Sequence, residues 1–151
     1  MIVTCQREAL MPAMQEAEGL LRAHYEEIAW RRDKIALAPD EARYKSLEKA
    51  GVLRVYTARA DGRLIGYSVY LVAPALHYKD TVYANNDVLF IEAAERGTAG
   101  LRLIRFAEAA LKAEGVHVVL LHVKSYNDWS VIAARMGYEP TDKIFQKWIG
   151  D

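Results

Sequence analysis

The run Tyr83–Val116, YANNDVLFIEAAERGTAGLRLIRFAEAALKAEGV, constrains this 151-residue chain more than any other part of it. It reads as an apolar strand, an Arg-Gly turn with a second glycine three residues on, and a long amphipathic helix. A strand that passes through glycines into a helix leaves backbone N–H groups free at the helix start. With the positive end of the helix dipole, those groups form an anion site suited to phosphate. The segment therefore points to a phosphate-bearing cofactor.

The flanking sequence supplies the rest of a domain. Met14, Ala17, Leu20, Leu21, His24/Tyr25 and Ile28 recur at helical spacing, and Pro12 stands in the first turn, so Met11 to about Glu27 is a helix. Pro39-Asp40-Glu41 opens a second helix through Leu47, stopped by Gly51. Val52–Ala60 and Leu64–Ala73 read as strands joined by an Asp61-Gly62 hairpin turn, the second bounded by Pro74. A third strand covers Thr81–Ile91, and Gly100–Glu114 is a helix ended by Gly115. The nearly continuous apolar run Val116–Val123 suits a central strand covered on both faces. A short helix, Asp128–Met136, and a last strand, Ile144–Ile149, complete the chain.

The order ααβββαβαβ predicts a single α/β (α+β) domain over residues 1–151. Its sheet is mixed and mostly antiparallel, with helices on both faces. The third strand and the Val116 strand should lie side by side and parallel, with a ligand near their C-terminal ends.

Charge and composition narrow the function. Twenty Lys and Arg balance twenty Asp and Glu, so the basic footprint of a nucleic-acid binder is missing. The single cysteine, Cys5, forbids an internal disulfide and fits a reducing cytoplasm. No leader-like apolar region is expected at the start, and no apolar run approaches the ~20 residues of a membrane span. The histidines, at 24, 77, 117 and 122, lack metal-ligand spacing, and no metal is expected. A nucleotide-binding βαβ unit would carry G-x-G-x-x-G, and the turn here does not.

Element order and turn residues together resemble the GNAT superfamily of acyl-CoA-dependent N-acetyltransferases, across nearly the whole chain and most strongly over Val52–Ile149. Members carry an (Arg/Gln)-x-x-Gly-x-(Gly/Ala) loop after the fourth strand. Here Arg96-Gly97-Thr98-Ala99-Gly100-Leu101 occupies it, with Ala99 and Leu101 where small residues are usual. Asn127-Asp128-Trp129 leading to Gly137-Tyr138 looks like the family's late Asn…Gly-aromatic signature, with Ala133 at its usual tyrosine position. The style of the chain also resembles GNAT-like proteins of phages and prophages.

The resemblance implies acetyl-CoA as acyl donor and direct transfer to a primary amine, on a small molecule or a peptide, within a ternary complex. It places the pyrophosphate on the backbone of Arg96, Gly97, Thr98, Ala99, Gly100 and Leu101, with Asn127 nearby. It places the thioester at a bulge in the fourth strand, at Leu89, Phe90 and Ile91. Asp87, two residues earlier and so on the same face as Leu89, is the candidate base or ammonium partner. Tyr126, just past the fifth strand, is the candidate general acid, with Tyr138 and His122 as alternatives. The acceptor site falls to the first two helices and their connection, with Tyr25, Glu26, Trp30 and Arg31, and to His77 and Tyr78. A homodimer is admitted, since dimers are common in that family. The departures at Ala99, Leu101 and Ala133 also fit a CoA-holding interaction module without efficient turnover.

Overall fold

Five strands pair in the order in which they occur along the chain, β1-β2-β3-β4-β5. The computed structural model describes residues 1–151. The strands are β1 (Val3–Arg7), β2 (Leu53–Ala60), β3 (Arg63–Ala75), β4 (Tyr78–Ile91) and β5 (Val118–Leu120). Three helices, α1 (Leu10–Glu16), α2 (Glu18–Ile28) and α3 (Glu41–Lys49), lie between β1 and β2; α4 (Thr98–Ala113) joins β4 to β5, and α5 (Ser130–Arg135) follows. The first three pairings are antiparallel and the last is parallel, which is the mixed, mostly antiparallel sheet expected.

Each turn has a local cause. Asp61 and Gly62 both take positive φ, 48° and 89°, the backbone that a two-residue hairpin loop needs. The Asp61 carboxylate also accepts the Ile2 N–H at 2.8 Å and so fastens β1 beside the hairpin. Asp40 caps α3 by accepting from the Arg43 N–H.

Both sheet faces are covered. Leu103, Ala107 and Leu111 of α4 pack on Tyr56, Ile65 and Tyr70. On the opposite face, Leu10 and Ala13 of α1 meet Leu53, Val55 and Val69, while Ala17 meets Leu64, Tyr67 and Phe90.

The site is shaped by an irregularity in β4. Val69 pairs with Val88 and Tyr70 with Asn86, so Asp87 is an extra, bulged residue. Buried Asn86 supports the bulge: its Nδ2 donates to the Val69 carbonyl at 3.1 Å and the Val88 carbonyl at 2.9 Å. The bulge reverses the alternation of side chains. Val82 and Ala84 face α4, and so do Leu89 and Ile91, five residues on from Ala84 in the first case. Asp87 instead bonds to Tyr44 of α3, on the other face. The expectation that Asp87 and Leu89 share a face is therefore overturned, as is the placing of the bulge at Leu89–Ile91.

The ends of the chain also differ from expectation. Val3–Arg7 is a strand, too short and too polar to show as one in the sequence. The segment Ile144–Ile149 alternates like a strand but pairs with nothing, and Ile144, Phe145 and Ile149 are exposed. The Val116 run forms only three paired residues at the sheet edge and is half-buried, because no sixth strand covers it. Pro74 lies inside β3, at a register slip where its missing N–H is tolerated.

Replacing Asn86 with Ala should remove both side-chain bonds that brace the bulge, to the Val69 and Val88 carbonyls. We expect a loss of about 1–3 kcal/mol in urea-unfolding stability; a loss below about 0.5 kcal/mol would show that the bulge needs no such support.

Candidate active site

β5 pairs with β4 only at Tyr83, Ala84 and Asn85. Beyond Asn85 the strands part, and a cleft of about 710 Å³ opens between them. The Glu92 N–H donates to Ile65 of β3. Two-residue alternation then turns Leu89 and Ile91 toward the side that β5 has left. That edge of β4 carries backbone N–H groups without a strand partner, aimed into the cleft.

The start of α4 closes one end. Gly97 precedes the helix at φ +104°, a backbone that favours glycine, and a Cβ there would meet nothing within 4 Å. No side chain caps the helix. Its first N–H groups and the positive end of its dipole therefore face open space beside Gly97, Gly100 and Leu101, which line the cleft. Ala99 points down into the core against α4's own sheet face, and neither it nor Thr98 lines the cleft by side chain.

Arg96 is placed differently from expectation. Its guanidinium donates to Glu27 of α2 at 2.5 Å and to the Ile91 carbonyl at 3.1 Å, and lies 5.6 Å from the Phe90 ring centre. Asn127 donates to the other oxygen of Glu27 at 3.1 Å. Arg96 holds the Glu27 carboxyl below its usual range, with Asn127 adding to the effect. The Arg96 charge is thus already paired, and anion binding at this end falls to the backbone.

A second cavity, of about 440 Å³, lies under α1, α2, α3 and the segment 29–39. It shares His24, Ile28, Val88 and Lys124 with the cleft, so the two join. Asp87 lines the cleft, and its partner Tyr44 lines the second cavity. Burial, and then the Asp87 carboxylate, push the Tyr44 hydroxyl well above its ordinary range, so it stays a donor to Asp87.

His24 is the residue that the sequence did not reveal. It is 8% exposed, stacks on Phe90 at 4.8 Å, and its Nδ1 lies 2.9 Å from the Tyr67 hydroxyl. Burial lowers its pKa to about 4, so the ring is neutral at pH 7 where the two cavities meet. One helical histidine gives no such signal; the fold supplies it by bringing β3 and β4 beneath α2.

The tyrosines proposed as acids lie elsewhere. Tyr126 is outside the cleft lining and donates to the Ile28 carbonyl at 2.7 Å. Tyr138 donates to Glu108 of α4 at 2.6 Å. Ala133 is buried and has no polar group to offer. His122 does line the cleft, its Nε2 bonded to the Asn85 side-chain Oδ1 at 2.7 Å. Of the acceptor cluster, Tyr25 and Trp30 line the second cavity; Glu26, Arg31, His77 and Tyr78 do not. Cys5 is half-buried in β1, with its pKa raised by burial, and lines neither cavity. No group of three or more His, Cys, Asp or Glu residues is placed to hold a metal, and no helix is long and apolar enough to cross a membrane.

Parted parallel strands thus leave a gap with an uncapped helix start at one end and the Asp87 carboxylate at the other. The family model of GNAT acetyltransferases matches residues 14–138, and the chain belongs to that family. No curated protein sequence matches it. Among solved structures, it resembles a transcriptional regulator from Bacillus halodurans, at 17% identity over 98% of this chain and 100% of that one, with TM-score 0.78. A ribosomal-protein-alanine N-acetyltransferase from Brucella melitensis matches at 14% identity over 100% of both chains, with TM-score 0.77. An aminoglycoside acetyltransferase from an uncultured soil sample, in complex with sisomicin, matches at 17% identity over 98% and 97%, with TM-score 0.75.

A histidine held neutral makes folding sensitive to acid. Its ordinary pKa is 6.5 and its folded value about 4. Between those values only the unfolded chain takes up the proton, so stability falls as pH falls through that window. Relative to His24→Gln, the wild type should lose about 2–3 kcal/mol between pH 7 and pH 4.5. Paired denaturant titrations would read this, and a constant difference would show that His24 is not held neutral.

Proposed function

We propose that the protein transfers an acetyl group from acetyl-CoA directly to a primary amine, with both substrates bound together. The observation that carries this reading is the gap between β4 and β5, which ends at the free N–H groups of α4. Gly97 to Leu101 hold the pyrophosphate through backbone N–H groups, as does the Arg96 backbone; Asn127 lines the same rim. The apolar walls at Leu89, Phe90 and Ile91 flank the pantetheine arm.

The Leu89 or Ile91 N–H, turned away from β3, stands where a donor can polarise the thioester carbonyl. The Asp87 carboxylate, oriented by Tyr44, draws the acceptor's ammonium to the junction of the two cavities and takes up its proton. The nitrogen lone pair then forms the new C–N bond as the C–S bond breaks. The thiolate receives its proton from the nitrogen or from solvent, because Tyr126 and Tyr138 keep their hydroxyls on Ile28 and Glu108.

Two measurements check these roles. Calorimetry should show acetyl-CoA binding that ATP and NAD do not reproduce, and that Gly97→Glu abolishes. Because any side chain at φ +104° is strained, Gly97→Ala serves as the control and should retain part of the affinity. Asp87→Asn should lower kcat at least ~100-fold in a thiol-release assay, with unchanged acetyl-CoA affinity. Wild-type turnover in Asp87→Asn would remove it as the base, and binding without turnover of any amine would favour the interaction-module reading.

A further inference from the structure

We infer that the acceptor is a primary amine on a single apolar group, aliphatic or aromatic, and not a sugar-like or polycationic amine. The inference rests on the cleft being the acetyl-CoA site, since the smaller cavity opens into it. Charge is available only at that opening; elsewhere the lining adds one neutral amide, Gln146. Asp87 offers one carboxylate to one ammonium, and Lys124, which lines both cavities, repels a second cation.

Away from the opening the cavity is mostly hydrocarbon. Leu10, Met14, Leu21, Trp30, Ile35 and Leu37 line it, and no carboxylate does. Its hydroxyl groups are already committed. Tyr25 donates to the Ile35 carbonyl, Tyr44 to Asp87, and the Tyr67 hydroxyl is paired with His24. A second ammonium entering here would find no carboxylate, and the several hydroxyls of a sugar would have little beyond the Gln146 amide to replace lost water, which disfavours both. An alkyl or aryl group instead loses contact with water to its advantage, by about fourfold in affinity for each buried methylene. The Tyr25 hydroxyl ties segment 29–39 at Ile35, which places this apolar stretch against the ligand as a wall.

The test compares kcat/KM for acetyl-CoA-dependent acylation of ethylamine, butylamine, hexylamine and phenethylamine with that for glucosamine, spermidine and sisomicin. Calorimetry of acetyl-CoA and of phenethylamine alone runs beside it. We expect kcat/KM to rise along the alkyl series and phenethylamine to exceed glucosamine by at least 100-fold. Leu37→Asp should cut kcat/KM for phenethylamine at least tenfold, with acetyl-CoA affinity unchanged. Tight acetyl-CoA binding with glucosamine, spermidine or sisomicin preferred would overturn the inference. If acetyl-CoA does not bind at all, the acetyl-transfer reading fails instead. The apolar site then stands if phenethylamine binds the wild type and not Leu37→Asp, and falls if it binds neither.

Discussion

One extra residue in β4 reverses which side chains face which half of the molecule. Ahead of Asp87, Val82 and Ala84 pack toward α4; beyond it, Val88 and Phe90 turn to the other face while Leu89 and Ile91 take up the α4 side. Pairing of β4 with β5 ends at Asn85, two residues before Asp87. A bulge increases local twist and ends regular pairing, so the opening of the cleft and the turning of Asp87 toward Tyr44 have a common cause. Asn86 makes this stable by supplying a side-chain donor where the ladder no longer does. Without the bulge, the carboxylate and the exposed strand edge would not stand beside each other.

Charge is arranged on the same frame. The strongest ion pair at the rim of the cleft, Arg96 with Glu27, is local and neutral overall. It ties the end of α2 to the turn before α4, and Asn127 extends the tie to the loop after β5. The cation that the loop sequence offers to phosphate is therefore used to hold three elements together. What remains for an anion is the directional array of α4 N–H groups, which needs no mobile side chain. On the inner side, the half-buried Tyr44 hydroxyl serves one carboxylate, and the buried Tyr67 hydroxyl and a neutral imidazole serve one junction. A low-polarity surrounding makes the buried His24–Tyr67 bond count for more than it would in water.

Much of this was legible in the chain. The α3 cap, the Asp61-Gly62 hairpin, the β4–α4 turn and the parallel β4–β5 pair follow from turn residues and periodicity that local physics enforces. Leu89, Phe90, Ile91, Gly97, Gly100, Leu101, Asn127 and Asp87 line one cleft. Other features depend on distant contacts. β1 exists because β2 offers it an edge and Asp61 binds Ile2. His24 looks like any helical residue until Tyr67 and Phe90 arrive beneath it. Tyr126 stands at the expected point in the chain, yet the α2 terminus captures its hydroxyl. The alternation of β4 is not legible in the sequence because a bulge shifts phase without changing composition.

The most direct test of the cleft is an amide NMR titration of the protein with acetyl-CoA, with ATP as comparison. Amide signals of Gly97 to Leu101 and of Val88 to Ile91 should shift together, saturating at a single acetyl-CoA equivalent, while ATP moves at most the first group. Acetyl-CoA shifts clustered elsewhere, or confined to the α4 turn with Val88–Ile91 unmoved, would contradict a cofactor seated between β4 and β5.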